Sequence, residues 1–312
     1  MTISVLRTAD AWWVYTATGA AKIATDAATT ADLLADRAAI EAAASDTITV
    51  PVDSLDLLSP VTAPCRVVAQ MTNYASHVRD AGMEPAAIPL TFFRKSSASI
   101  TGPVDAIVKP SHVRFLDYEV EIGLVIGTDM PVGSTVTDAN LADYVAGLVV
   151  TNDVSARDIQ LPQTQFYEAK SYPTFTPVGP ALVLLTAAEL KRLGELRLQL
   201  RVNGQLRQDM RVAGDMIYSP LQALQSLTRF QDLRAGDLIL TGTPVGTALS
   251  APPKAVALIG SLLPPAVKWK AFFKSQARNP KYLHDGDVVE ATVATDDGAI
   301  DLGAQRNIVK YA

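Results

Sequence analysis

Two glutamates, Glu119 and Glu121, stand two residues apart in the stretch FLDYEVEIGLVIG, where alternating apolar residues predict a strand. Residues two apart on a strand point to one face, so the two carboxylates lie side by side, with Asp117 next in the same row. Enclosed, such a row is costly: each ionised carboxylate loses water, and like charges raise one another's pKa. Further along, VVTNDVSARD ends another apolar strand at Asp153, with Asp158 just beyond. Three oxygen ligands from two strand ends suit a hard divalent cation, Mg²⁺ first, with positions left for water and substrate. A solvated acidic face is the other reading of the same pattern. The runs GLVIG and GLVVTND stay apolar at successive positions, which predicts a sheet covered on both sides and glutamates partly enclosed. Zinc is not indicated, because Cys65 is the single cysteine and the three histidines are scattered.

A second candidate is His77 in NYASHVRD. Asp80 follows three residues on, so on a helix the two share a face, and the carboxylate could orient the imidazole as a general base. A packing or surface histidine is the competing reading, and it is the one given to His112 and His284, which lack such a neighbour.

These residues must be positioned by a strand-rich α+β chain. Residues 1–64 read as a small N-terminal α+β domain: a hairpin over SVLRTADAWWVYTATGAAKIAT, an alanine-rich helix opened by Thr30 with Asp32 in its first turn, and the proline-marked linker LLSPVTAP. Residues 65–312 read as the larger domain that carries these candidate groups, in which strands predominate and Asn203-Gly204 marks a tight hairpin. Residues 248–284, with Pro-Pro pairs and a short helical stretch, look like an insertion between two strands. The net charge of −5, without a basic run, argues against nucleic acid as a partner. No apolar run reaches the roughly 18 residues of a spanning helix, and the N-terminus lacks a signal-peptide pattern. With one cysteine, these features predict a protein of the cytoplasm that does not engage a membrane.

Taken in order, NYASH, FFRKSSAS, DYEVEIGLVIG, NDVSARDIQ, AKS, PVGPAL, VNGQLRQ, MIYS, GDLILTGTPVGT and GDVVEATV resemble the fumarylacetoacetate hydrolase family from about residue 58 to 310, in its acylpyruvate hydrolase and 2-hydroxyhepta-2,4-diene-1,7-dioate isomerase-like branch. The resemblance implies a mixed β-sandwich roll, usually a homodimer, behind a variable N-terminal region. It assigns Glu119, Glu121 and Asp153 to the metal, with Mg²⁺ expected and Mn²⁺ or Ca²⁺ as substitutes. It makes His77 and Asp80 the water-activating pair, with Asp80 where relatives carry glutamate. Lys170 matches a lysine facing the substrate, and Arg157, Gln160, Gly242 and Thr243 match substrate-binding positions. This chain departs from the pattern at Lys95-Ser96, where Lys-Pro is usual, at the insertion, and at Glu168, an additional carboxylate.

The implied reaction is metal-dependent hydrolysis of a carbon–carbon bond in a 1,3-dicarbonyl acid of the acylpyruvate or fumarylpyruvate kind, in the breakdown of an aromatic or related compound. The ion would act as Lewis acid and template while His77 and Asp80 activate water. Two alternatives stand beside it. One is a decarboxylase of an oxaloacetate-type acid or a keto–enol or double-bond isomerase, which a weak His77–Asp80 pair would favour. The other is a metal-dependent binding protein without chemistry. The insertion is expected to cover a pocket with Trp269, Phe272 and Phe273, or to serve as a peripheral contact.

Overall fold

The computed structural model describes residues 2–163, 166–251 and 264–312. The chain opens with a meander of β1 (Ile3–Arg7), β2 (Trp12–Thr16) and β3 (Gly19–Lys22). The alanine-rich segment that follows is two helices, α1 (Thr30–Ala35) and α2 (Arg37–Ala44). Thr29, not Thr30, caps α1 in a reciprocal box with Asp32, and Asp36 ends α1 and caps α2 through the backbone N–H of Ala39.

Next come β4 (Val67–Gln70), α3 (Ala75–Asp80), β5 (Phe92–Lys95), β6 (Ile100–Thr101), β7 (Ile107–Lys109), β8 (Leu116–Asp117), β9 (Val120–Ile126), α4 (Leu141–Tyr144), β10 (Val145–Asn152), β11 (Ser155–Ala156), α5 (Arg157–Gln160), β12 (Thr176–Pro177) and β13 (Leu182–Leu184). The remainder is α6 (Ala187–Leu190), β14 (Leu196–Val202), β15 (Gln205–Arg211), α7 (Pro220–Leu227), β16 (Leu238–Leu240), α8 (Pro265–Gln276), β17 (Val288–Thr295) and β18 (Asp301–Tyr311). The expected hairpin joins β14 to β15, and Asn203 and Gly204 both take positive φ, as its two-residue turn demands.

Nine strands form one sheet in the order β3-β2-β1-β13-β10-β9-β16-β4-β5, and five form another in the order β15-β14-β17-β18-β7. The N-terminal strands enter the larger sheet directly, β1 pairing antiparallel with β13. Beyond β5 the chain turns into β6, which pairs with β12, and Val178 just after β12 bridges Thr151 of β10. These pairings curl the large sheet back toward its own middle strands.

β9 is buried on both faces, as its composition predicts. Ile122 and Leu124 point with Val150 and Leu148 toward the five-stranded sheet, whose Leu198, Leu200 and Val293 belong to the same core. Val125 points the other way, with Val149, Leu238 and Leu240, into a second core that α1 and α2 close with Leu33, Leu34 and Ile40. Glu121 pairs with Thr151 and shares this second face with Gly123 and Val125. Each fully buried aliphatic contributes about 1.5–3 kcal/mol, the same order as the cost of a buried carboxylate, so the strand holds its acids in place from the apolar side. Gly123 is required beside them: a Cβ there would lie within 2.8 Å of side-chain atoms of Val149, Leu238 and Thr151.

Candidate active site

Glu119, Glu121 and Asp153 converge at one end of β9 and β10, each offering an oxygen within 4.8 Å of the others. All three are buried. Backbone contacts set the geometry: Asp153 N–H donates to the Glu119 carbonyl at 2.8 Å, and Glu119 N–H donates to Asn152 Oδ1 at 2.9 Å.

Three cations enter this cluster from different elements. Lys170, from the 3₁₀ turn Glu168–Lys170, donates to Glu119 Oε2 at 2.7 Å and Asp153 Oδ2 at 2.6 Å. Lys95 at the end of β5 donates to Asp153 Oδ1 and, at 3.0 Å, to the Phe175 carbonyl. Arg157, first residue of α5, donates to Glu119 Oε1 at 2.5 Å, to Asp117 Oδ2 at 2.8 Å and to Gln160 Oε1 at 2.7 Å. Asp117, Glu119, Glu121 and Asp153 therefore face Lys95, Arg157 and Lys170, which leaves one negative charge in excess. Glu121 is the surplus group: its bonded partner is the Gly242 backbone N–H at 2.7 Å, and with no cation bonded to it among the described residues the carboxyl keeps a proton instead. Burial and then the neighbouring Asp153 and Glu119 hold the Glu121 carboxyl well above the usual range. Burial acts the same way on Glu119, but Lys170 and Arg157 overcome it and bring that carboxyl to about 2. A convergent all-oxygen set with surplus negative charge and one under-partnered carboxylate fits a hard divalent cation.

His77 lies on α3, facing this cluster. Burial lowers its pKa, opposed by Glu119 and reinforced by Arg157 and Lys170, and its Nδ1 is enclosed without a hydrogen-bond partner among the described residues. Asp80 shares the helix, but no hydrogen bond joins it to His77. What fixes α3 is Asp215, which accepts from Ser76 N–H at 2.7 Å and Ser76 Oγ at 2.5 Å, while Ser76 Oγ accepts from Val245 N–H at 3.2 Å.

The turn after β16 packs directly against the acid cluster. Gly242, at φ +85, has its N–H committed to Glu121, and a Cβ there would meet Asn73 Cβ at 2.8 Å. The Thr243 hydroxyl donates to the Val120 carbonyl at 2.9 Å and accepts from Gln208 Nε2 at 2.9 Å. Gln160 and Arg157 likewise bond to each other inside the cluster. Of these four positions, Arg157 and Gly242 bond carboxylates of the cluster directly, while Gln160 and Thr243 support their neighbours. Asp158 lies outside the cluster, accepting from the backbone N–H groups of Arg114 and Phe115. Glu168 is exposed and accepts from Tyr172 Oη at 2.7 Å.

Sequence reasoning did not single out Lys95 as an ion partner, nor Gln208, Asn73, Ser76 and Asp215 as supports. Lys95, Gln208, Asn73 and Ser76 were visible only as parts of motifs and Asp215 not at all, because the partner of each lies on a strand or turn far away in the chain. A cavity of about 720 Å³ opens along β5, lined by Phe92, Phe93, Lys95 and Phe166. Another of about 440 Å³, between α4, α6 and the start of α7, lies away from the acids.

Residues 66–310 match the family described as fumarylacetoacetate (FAA) hydrolase C-terminal. The chain belongs to the fumarylacetoacetate hydrolase family. Among its relatives, the mitochondrial oxaloacetate tautomerase Fahd2a of Rattus norvegicus is 35% identical over 64% of this chain and 62% of its own length, so the matched part is less than two thirds of that protein. The oxaloacetate tautomerase YisK of Bacillus subtilis is 32% identical over 76% of this chain and 69% of its own. A crystal structure from Mycobacterium abscessus, described as a probable 2-hydroxyhepta-2,4-diene-1,7-dioate isomerase, superposes with a TM-score of 0.74 at 31% identity, covering 100% of this chain and 99% of that one. Family members thus include isomerases and tautomerases beside the hydrolases that gave the family its name. No helix among the described residues is long and apolar enough to cross a membrane.

Proposed function

We propose that this chain catalyses keto–enol tautomerisation or a double-bond shift in a small 2-oxo diacid of the oxaloacetate type, with a divalent cation held by Glu119, Glu121 and Asp153. The observation that carries the reading is His77 facing the acid cluster with no acid partner of its own. Water activation by a histidine–acid pair relies on the carboxylate to orient the neutral imidazole and to stabilise the imidazolium that forms, whereas a proton moved between carbon and oxygen can be carried by the neutral imidazole alone. The names of the tautomerase and isomerase relatives support the same choice. Carbon–carbon hydrolysis of an acylpyruvate is the second reading, favoured by the presence of Asp80 on the same helix as His77.

When bound, the cation supplies Lewis acidity at a keto oxygen and a template for the neighbouring carboxylate. The protein's own groups do the rest. His77, kept neutral by burial, takes a proton from the carbon beside the carbonyl; the C–H bond breaks, its electron pair moves into the enolate, and the proton returns to oxygen. Lys170, whose ammonium the flanking Asp153 and Glu119 stabilise against burial, sets a positive charge where the oxygen becomes negative. Mg²⁺ is the expected ion, with Mn²⁺ or Ca²⁺ as substitutes, and the family resemblance supports a homodimer; the single cysteine supports the cytoplasm as its location.

The deciding experiment follows enol-oxaloacetate by ultraviolet absorbance and an acylpyruvate series by NMR, with metal-stripped and Mg²⁺-loaded protein. Metal-dependent loss of the enol without cleavage is expected. Pyruvate plus a free acid from acylpyruvates, without faster tautomerisation, would replace this reading with hydrolysis, and no turnover of either would remove both.

A further inference from the structure

Asp117 sits in the row of carboxylates yet does not join the convergent three. It is fully buried at the end of β8, and its oxygens serve partners in two directions. Oδ2 accepts from Arg157 Nε at 2.8 Å and from Leu249 N–H at 3.0 Å. Oδ1 accepts from Tyr118 N–H at 2.8 Å and from Ala248 N–H at 2.8 Å. Ala248 and Leu249 begin the stretch that the sequence marks as an insertion. Two residues further, Ala251 N–H donates to the Asp80 carbonyl at 3.1 Å, at the end of the helix that carries His77. On the returning side, Asn279 Nδ2 donates to the Ala248 carbonyl at 2.8 Å. Residues 248–251 thus form a strap laced at one end to the acid cluster and at the other to the His77 helix.

We infer that Asp117 is a positioning residue: one carboxylate orients Arg157 toward Glu119 and fastens the 248–251 strap, so the base of the insertion becomes part of the site. The chemistry fits the task. A carboxylate has lone pairs for several donors and accepts charge-assisted bonds from a guanidinium, and the two backbone N–H groups of the strap would be unpaired without it. An asparagine in its place offers one acceptor oxygen and turns an N–H₂ toward groups that are donors themselves.

The inference rests on the proposed function only for its effect on turnover; its structural part is tested without substrate, by hydrogen exchange and NMR on the full chain. In the wild type the amides of Ala248 and Leu249 should exchange as slowly as those of β9, and the Arg157 Nε proton should be visible. Asp117→Asn should speed exchange at Ala248, Leu249 and Ala251 by about 100-fold while leaving α1 and α2 unchanged, and should remove the Arg157 signal. The double variant Asp117→Asn, Arg157→Gln removes both charges together and should show the same local loss of protection. Fast exchange at Ala248 and Leu249 in the wild type, unchanged protection there in either variant, or an equal rise across the whole sheet would each overturn the inference. If exchange behaves as expected while the wild type turns over no 2-oxo acid, the functional proposal fails and the positioning role stands. If the wild type is active and both variants keep their strap protection and kcat, the positioning role fails and the functional proposal stands.

Discussion

The two large sheets use the same ionic residues to opposite effect. On the five-stranded sheet β17 alternates between buried and half-buried positions, and its ion pairs lie outside: Arg197 meets Asp209 with side-chain exposures of 41% and 23%, and Arg306 meets Glu290. On the nine-stranded sheet the side chains of Lys95, Arg157 and Lys170 and of their acid partners are at most 7% exposed. Water screens the first set, so each pair adds little. The second set is shielded from water, so every charge must find its compensation within the cluster. An ion pair on the outer sheet is a surface ornament of the fold; in the curled sheet it is a condition for the acids being there at all.

The largest expected effect comes from removing one buried cation. Lys170→Met should destabilise the metal-free protein by about 3–5 kcal/mol, because Glu119 and Asp153 lose a shared partner. Thermal unfolding should show Mg²⁺ recovering part of that loss, and turnover should vanish. A variant as stable as the wild type without metal would mean that the cluster is screened like the outer sheet.

The next effect is in pH. Burial first, then Asp153 and Glu119, raise the folded carboxyl of Glu121, so the folded chain keeps a proton that the unfolded chain releases near the ordinary carboxylate value. Stability of the metal-free protein should therefore fall as pH rises above that value, by up to about 1.4 kcal/mol per pH unit for one proton, until the folded group also ionises. Glu119 has the opposite sign: its depressed carboxyl contributes stability that is lost as pH falls from 4.5 toward about 2. Glu121→Gln should flatten the alkaline-side slope, as denaturant titrations across pH would report; an unchanged slope would assign it to another group.

The smallest effect sharpens the contrast. Arg197→Ala on the outer sheet should change stability by less than about 1 kcal/mol and leave turnover untouched, with salt reducing even that difference.

The convergence of Glu119, Glu121 and Asp153 was legible because side-chain direction on a strand follows a period of two, and both strands end in acids. The hairpin at Asn203-Gly204 was legible because few residues accept its backbone. Lys95 was not, since its reach to Asp153 depends on the curl that brings β5 round toward β10, and periodicity says nothing of which strands become neighbours. The same applies to Gln208, which crosses from the smaller sheet to bind Thr243. That the Gly242 N–H bonds Glu121 and the Thr243 hydroxyl bonds the Val120 carbonyl was not legible, because the partners lie 121 and 123 residues back in the chain. The single long helix expected near residue 30 is broken at Asp36, whose side chain competes for the backbone as short polar side chains do. Within residues 248–284, positions 252–263 lie outside the described residues. Trp269 and Phe273 stack with ring centres 5.7 Å apart, and Phe273 packs on Phe115 at 5.8 Å, so the aromatic groups expected to cover a pocket meet the chain just before Asp117.

The bond from Asn279 to the Ala248 carbonyl brings the two ends of that segment to a single point. A chain that leaves and re-enters the fold at one place is a graft: the sheet order does not register how long it is. Closing such an excursion costs only about 0.6 kcal/mol more for each doubling of its length. Descendants of this chain could therefore change the length of chain between Ala251 and Asn279 while the 248–251 strap, and the acids fastened to it, stay as they are.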